Sequence, residues 1–148
     1  MSNAVKIRPL ERNDYDAWHA MWTKYLEFYE SSVKPEVYES SFNRFFASNE
    51  FEPSCFVAVK NGELVGLVHF IYHRHNWHLD NVCYLQDLYA DENMRGEGIG
   101  RKLIEAVYAQ ADNDNIASVY WMTQEFNTEA RKLYDRIAKL TPFVQYKR

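Results

Sequence analysis

The chain has 148 residues, a length typical of one domain, and folding at this length buries roughly 68–70% of the surface that the unfolded chain exposes. Its 17 Lys and Arg against 21 Asp and Glu give a formal charge of −4, which disfavours a protein that follows nucleic-acid phosphates. No stretch approaches the ~20 apolar residues of a membrane span. With two cysteines in apolar segments, we expect one reduced, cytoplasmic domain over residues 1–148, with no nucleic-acid or membrane partner.

The first part of the chain predicts one short strand followed by two helices. These elements cover residues 5–8, 15–30 and 35–49. Asn13 or Asp14 is the expected N-cap of the first helix, and Pro35 is typical of the first turn of the second. Apolar side chains recur in the first helix at spacings of three and four, at Trp18, Met21, Trp22, Tyr25, Leu26 and Tyr29.

The rest of the chain predicts a sheet interrupted by two helices. The expected strands are residues 55–59, 64–72, 82–90, 118–122 and 143–146. Asn61 and Gly62 predict a tight hairpin turn, because Asn-Gly supplies the positive φ angles that such a turn needs. One helix has its apolar face at Gly100, Leu103, Ile104, Val107, Tyr108 and Ala111. Asn127 is the expected cap of a last helix, with an inner face of Ala130, Leu133, Tyr134 and Ile137. The pattern predicts a single α/β domain with a mixed sheet.

Three of the five glycines lie between a predicted strand and a predicted helix, at Gly96, Gly98 and Gly100. A strand that turns through glycines into a helix leaves backbone N–H groups free at the positive end of the helix dipole, which favours an anion such as a phosphate. A nucleotide P-loop would need Lys and Ser or Thr after its glycines, whereas Gly100 is followed by Arg101 and Lys102. The G-x-G-x-G spacing also differs from the dinucleotide G-x-G-x-x-G. A tight turn that binds no ligand remains an alternative interpretation of these glycines.

The run from Arg95 to Gly100, preceded by residues 84–90 (YLQDLYA), resembles the donor-binding signature R/Q-x-x-G-x-G/A of the GCN5-related N-acetyltransferase (GNAT) superfamily. The resemblance covers residues 55–146 and, more loosely, the first two helices, and it is nearest to the small histone and polyamine acetyltransferases. It implies a mostly antiparallel central sheet flanked by helices in a single α/β (α+β) domain. It also implies acetyl-CoA as co-substrate. We expect no metal, because no motif of the sequence needs one, and we further expect a homodimer.

The resemblance assigns the donor-binding residues. The backbone of Leu88, Tyr89 and Ala90 pairs with the pantetheine arm, and the amides from Gly96 to Arg101 hold the pyrophosphate, with added charge from two arginines. The full set implied is Leu88, Tyr89, Ala90, Arg95, Gly96, Glu97, Gly98, Ile99, Gly100, Arg101, Asn127 and Ala130. Asn127 is expected to cap its helix and contact the donor as well.

Tyr134 is the implied general acid, because the family places a tyrosine on the last helix to protonate the departing thiolate. A phenol has an ordinary pKa near ~10 and a thiol one near ~8.5, so the proton transfer is favourable. Tyr134 also lies on the apolar face of its helix, where a packed core tyrosine is the alternative.

The expected acceptor is the primary amine of a small molecule or basic peptide, bound between the first two helices and residues 73–81. The substrate-binding residues are Tyr25, Tyr29, Glu30 and Gln86, since aromatic rings and carboxylates suit an ammonium group. Gln86 stands where polyamine acetyltransferases typically carry Glu, which weakens polyamines as candidates. Strand alternation predicts that Asp87 faces the other side. The sequence does not identify the general base. One route is transfer of the amine proton through water to Glu27, Glu30 or a loop histidine.

Two further alternatives remain. Three histidines of the loop, His73, His75 and His78, with Asp80 nearby, have spacings that allow a zinc site, although polar loop histidines beside the acceptor are what we expect. The function alternatives to an enzyme are a CoA-binding regulatory module without turnover and a structural α/β domain without a ligand.

Overall fold

The computed structural model describes residues 4–94 and 96–148. The strands are β1 (Lys6–Pro9), β2 (Ser54–Lys60), β3 (Glu63–His73), β4 (Val82–Ala90) and β5 (Val119–Tyr120). The helices are α1 (Tyr15–Phe28), α2 (Pro35–Arg44), α3 (Ile99–Asn113) and α4 (Thr128–Ile137). Two short 3₁₀ turns, Arg12–Asp14 and Glu92–Met94, precede α1 and α3.

The strands form one five-stranded sheet in the order β1-β2-β3-β4-β5. Neighbours from β1 to β4 are antiparallel, and β5 runs parallel to β4. Helices α1 and α2 pack on one face, and α3 and α4 pack on the other, so the domain has two apolar clusters separated by the sheet. The predicted α/β fold with a mixed, mostly antiparallel sheet is therefore confirmed.

The local signals placed most elements correctly. Asn61 and Gly62 both have positive φ, 52° and 78°, as the hairpin turn between β2 and β3 requires. Helix α1 ends at Phe28, two residues before its predicted end. Helix α2 begins at Pro35 as predicted, but it ends at Arg44 rather than near Asn49. Phe45 and Phe46, which extended the predicted helix, lie in the turn after it. There they pack against the apolar cluster on the α1 face of the sheet.

Helix α3 lies unusually close to β3. A Cβ atom on Gly66 would come within 2.7 Å of Ile99 Cγ2 and 3.1 Å of Leu103 Cδ1. Ile99 and Leu103 are both buried. Gly66 therefore sets the distance between the sheet and the first turn of α3, which begins directly after the glycine loop.

The predicted terminal strand over residues 143–146 is wrong. This segment has no strand structure, and its large apolar residues Phe143, Val144 and Tyr146 are exposed. Strand β5 is also shorter than predicted, at two residues. A strand requires a partner edge, and a β-rich sequence alone does not supply one.

None of the helices in residues 4–94 and 96–148 is long and apolar enough to cross a membrane.

Candidate functional site

Strand β4 has an open edge over its second half. It pairs with β3 from Val82 to Ala90, but it pairs with β5 only at Cys83 and Tyr84. Residues 85–90 therefore have no second strand partner within the described chain. Antiparallel strands direct alternate backbone groups to either side, so outward N–H and C=O groups of this stretch are free to bind an extended ligand. The predicted pantetheine-binding residues Leu88, Tyr89 and Ala90 lie on this edge.

The glycine loop leads from this edge into α3. Gly96 and Gly98 have φ of 85° and 68°, the left-handed conformation that favours glycine. Gly98 is the N-cap of α3, and no side chain caps the helix. The first intrahelical bond runs from the Lys102 N–H to the Gly98 carbonyl, so the preceding amides have no partner within the helix. The loop thus has the geometry of an anion site. Arg95 lies outside the described residues.

The charged residues of the loop already have partners. Lys60 Nζ pairs with Glu97, which offsets a carboxylate in the predicted phosphate site. Arg101 Nε lies 3.2 Å from Glu105 Oε1, and both side chains are more than half exposed. An exposed pair of this kind contributes little to stability, so Arg101 is free to exchange Glu105 for an anion.

Helix α4 meets the first turn of α3 and strand β4. A Cβ atom on Gly100 would lie 3.8 Å from Leu133 Cδ2 and 4.0 Å from Leu88 Cδ2. The next residue, Tyr134, packs edge-on against Trp121, with ring centroids 5.4 Å apart. Burial, and secondarily Tyr29, raises the pKa of Tyr134 to about 12. Its phenol therefore stays protonated at neutral pH, as a general acid must.

The start of α4 differs in detail from its prediction. Asn127 occupies the N-cap position, but its side chain makes no capping hydrogen bond. Asn127 Nδ2 instead donates to Thr123 Oγ1 at 3.2 Å. Ala130 lies half-buried on α4. The Asn127 amide thus ties α4 to the segment after β5, beside the open edge of β4.

Three tyrosines surround a buried carboxylate on the α1 face of the sheet. Burial raises the pKa of Tyr25, and the charge of Asp87 and a hydrogen bond to it add to this effect. Burial and the charge of Asp87 also raise the pKa values of Tyr29 and Tyr84. Tyr29 further interacts with Thr123. We call Tyr25, Tyr29, Tyr84 and Asp87 the acceptor cluster. Tyr29 contributes to the raised pKa of Tyr134, so these two side chains lie near each other.

A β-bulge places Asp87 in this cluster. His69 is opposite Asp87, but Phe70 is opposite Leu85, so Gln86 is the extra residue of β4. The bulge breaks the two-residue alternation of the strand. The prediction that Asp87 faces away from the acceptor residues is therefore wrong. Gln86 is exposed, and Glu30 is exposed with a left-handed φ of 55° at the end of α1.

Sequence reasoning missed a second buried group beside Asp87. His69 Nδ1 lies 2.7 Å from Asp87 Oδ2, and Trp18 Nε1 donates to His69 Nε2 at 3.0 Å. The available signal was a histidine and an aspartate, each inside an otherwise apolar strand. Around the loop histidines, no three His, Cys, Asp or Glu side chains within residues 4–94 and 96–148 form a group that could hold a metal ion.

Comparison with known proteins places this geometry in a family. Residues 18–138 match the Acetyltransferase (GNAT) family. The chain is 34% identical over its whole length, and over 92% of the relative, to the D-amino-acid N-acetyltransferase HPA3 of Saccharomyces cerevisiae.

Two solved structures share the fold at low identity. Aminoglycoside N-acetyltransferase AAC(6')-Iy in complex with CoA has a TM-score of 0.84 and 16% identity, with 100% of this chain and 96% of that chain covered. The aminoglycoside acetyltransferase meta-AAC0020 from an uncultured soil metagenomic sample has a TM-score of 0.80 and 21% identity, with 99% and 97% covered. The chain therefore belongs to the Acetyltransferase (GNAT) family, and it is an N-acetyltransferase.

Proposed function

We propose that this protein transfers the acetyl group of acetyl-CoA directly to the primary amine of a small molecule or basic peptide. The observation that carries the proposal is the open edge of β4. This edge leads into the glycine loop and includes Asp87, and Tyr134 of α4 lies near Tyr29, which is close to the same carboxylate.

The donor side is supported by three features that follow one another in space. The uncapped first turn of α3 suits a pyrophosphate. The backbone groups that face outward within Leu88, Tyr89 and Ala90 suit the amides of a pantetheine arm, which is itself an extended chain. Leu133 of α4 and Leu88 of β4 lie 3.8 Å and 4.0 Å from the position of a Cβ atom on Gly100, so α4, the helix that carries Tyr134, packs beside this path.

The chemistry needs an acid for the leaving group and a way to hold a neutral amine. The thioester supplies the acetyl group, and its sulfur leaves as the thiolate when the C–N bond forms. Tyr134 gives its phenolic proton to that sulfur, since burial keeps the hydroxyl protonated. Asp87 orients the incoming ammonium and accepts one of its protons, directly or through a water, which frees the nitrogen lone pair for attack. The second proton, lost from nitrogen as the amide forms, replaces the one that Tyr134 gave to the sulfur. Tyr25 donates to the carboxylate, and Tyr29 lies close enough to Asp87 for its charge to raise the pKa of the Tyr29 phenol.

The acceptor cluster favours a cationic amine over a neutral one. A carboxylate among aromatic rings attracts an ammonium group electrostatically. The yeast relative named above is a D-amino-acid N-acetyltransferase, which makes amino acids the first compounds to test. Aminoglycosides and polyamines follow, because they carry the same primary ammonium group.

The test is release of CoA thiol from acetyl-CoA with a panel of D- and L-amino acids, spermidine, an aminoglycoside and a basic peptide. We expect turnover with at least one cationic primary amine, and Asp87→Asn should lower its kcat/KM by roughly 10²-fold or more. The matched control is Asp114→Asn, which removes another tyrosine-bound carboxylate, 2.6 Å from Tyr72. If no amine in the panel is acetylated while acetyl-CoA binds, the proposed acceptor class is wrong.

We also propose a homodimer, which the exposed apolar tail supports. Leu140, Phe143, Val144 and Tyr146 are each more than 70% exposed, which is unusual for large apolar side chains close together in sequence. Light scattering on the full chain and on a variant without residues 140–148 tests this. A dimer that becomes a monomer on truncation supports the tail as the contact, and a monomeric full chain contradicts the proposal.

A further inference from the structure

A line of buried polar groups crosses from α1 to β4 behind the acceptor cluster. The Trp18 indole donates to His69 Nε2 at 3.0 Å, and His69 Nδ1 lies 2.7 Å from Asp87 Oδ2. Trp18 is fully buried, and the His69 and Asp87 side chains are only 5% and 12% exposed. Asp87 then meets the hydroxyl of Tyr25. The line therefore ends at the proposed amine site.

The indole decides the protonation state of the histidine. An indole N–H donates only and never accepts, so His69 Nε2 must present its lone pair. A histidine with an unprotonated Nε2 carries its single proton on Nδ1, which therefore donates to the Asp87 carboxylate. Protonation of Nε2 would set two N–H groups against each other at 3.0 Å. The geometry holds His69 neutral and in one tautomer.

We propose that Trp18 and His69 are positioning residues for acetyl transfer. Trp18 locks His69 as the neutral Nδ1–H tautomer, and His69 in turn orients Asp87 and leaves its full negative charge for the acceptor ammonium. This inference rests on the proposed function, because it assumes that Asp87 receives the amine. It adds a reason for the buried histidine, which takes no part in the chemistry itself.

The groups that surround this line are nearly all uncharged. Asp87 is flanked by the acceptor tyrosines Tyr25, Tyr29 and Tyr84, whose pKa values are raised. Cys55, opposite His69 on β2, is a buried thiol whose pKa is raised well above its usual value. The rings of Trp22, on α1, and Phe45, directly after α2, also pack against the His69 ring. None of these groups changes charge near neutral pH.

A plain packing role predicts different behaviour. His69→Phe leaves the Trp18 N–H and the Asp87 carboxylate without their partner, so it lowers the free energy of unfolding under either role. If His69 only packs, the folded enzyme should nevertheless keep the native kcat/KM. A positioning role instead predicts that activity follows the two hydrogen bonds, and that a side chain able to make both restores it.

The first test is spectroscopic and needs no substrate. Two-dimensional ¹H–¹⁵N correlation of the histidine rings reports the tautomer and the charge of each imidazole, and His69→Gln identifies the His69 signals. At neutral pH we expect His69 of the native protein to show the Nδ1–H tautomer. In Trp18→Phe, Nε2 has lost its donor, so signals of the Nε2–H tautomer should appear as well. An Nε2–H tautomer or a doubly protonated ring in the native protein overturns the proposal.

The second test is kinetic. His69→Phe should lower kcat/KM for the preferred amine by roughly 10- to 100-fold, with the KM for acetyl-CoA unchanged, because a misplaced carboxylate affects only the acceptor. In His69→Gln, the amide both accepts from Trp18 and donates to Asp87, so kcat/KM should stay within about threefold of native. His19→Gln, the same change on α1 outside the site, is the control. Equal kcat/KM in His69→Phe and the native protein contradicts the positioning role, as does an equal loss in both His69 variants.

The two tests separate the ways of failing. If no amine is acetylated but His69 shows the locked tautomer, the proposed function fails and the structural lock stands. If amines are acetylated and His69 is not held in the Nδ1–H tautomer, the acceptor proposal stands and the positioning proposal is wrong. Should His69→Phe fail to fold, the ring spectra of the native protein and the rate of His69→Gln still decide.

Discussion

Gly66→Ala is the substitution whose consequences the structure specifies most closely. The new methyl carbon would lie 2.7 Å from Ile99 Cγ2, 3.0 Å from the Tyr89 carbonyl oxygen and 3.1 Å from Leu103 Cδ1. The first of these separations is shorter than any ordinary carbon contact, so Ile99 must move. Tyr89 O belongs to the neighbouring strand, and Leu103 is fully buried, so neither has room to yield.

The cost follows from overpacking. Inserting a methyl group into a packed core costs roughly 1–3 kcal/mol, and replacing glycine in a strand returns about 0.5–1 kcal/mol through the unfolded chain. The net loss of about 1–2 kcal/mol corresponds to a fall in Tm of roughly 2–8 °C for a chain of this size. Ile99 is the first residue of α3, so its shift also moves the free amides. Loss of one such hydrogen bond raises the Kd for acetyl-CoA about tenfold.

Thermal unfolding and donor titration measure the two effects. Gly100→Ala is the matched stability control, because its Cβ atom meets nothing closer than 3.8 Å and the site is helical. We expect its Tm to be unchanged or slightly higher. A Gly66→Ala variant with native Tm and native donor affinity would show that α3 is not held against β3 as the distances indicate.

Three other perturbations test separate parts of the molecule. Tyr134→Phe should lower kcat by roughly 10²- to 10⁴-fold with little change in the Kd for acetyl-CoA, and a native rate in a steady-state assay would return Tyr134 to a packing role. Gly98→Glu should abolish acetyl-CoA binding in a donor titration, because it adds charge and bulk beside the pyrophosphate. Gly98→Asn should bind acetyl-CoA more tightly than Gly98→Glu, since Asn tolerates the left-handed φ of 68° and adds no charge. Arg8 hydrogen-bonds to Asp14 and lowers the pKa of that carboxyl, so the stabilisation is present above the unfolded value near ~3.9 and is lost as pH falls through the lower folded value. Arg8→Met should accordingly reduce Tm in calorimetry at pH 7 more than at about pH 2, and an equal reduction at both would contradict the pair's contribution.

Local sequence patterns were sufficient for most of the framework. The periodic apolar stripes predicted α1 and α3, because a helix buries every third or fourth side chain whatever it packs against. Asn61 and Gly62 predicted the hairpin, since few other residues accept its φ angles. The glycines at positions 96 and 98 predicted the loop before α3 for the same reason. The family resemblance added the roles of Tyr134 and the donor residues, which stay predictions.

Only the tertiary structure decided what lies at the acceptor site. The bulge at Gln86 depends on how β4 pairs with β3, and strand alternation alone places Asp87 on the wrong face. The predicted strand at 143–146 failed because pairing needs an edge that the sequence pattern does not contain. The two hydrogen bonds of His69 reach far along the chain. Trp18 lies 51 positions before His69, and Asp87 lies 18 positions after it. Such contacts arise when separate elements pack together, so residue types and spacing along one segment do not specify them.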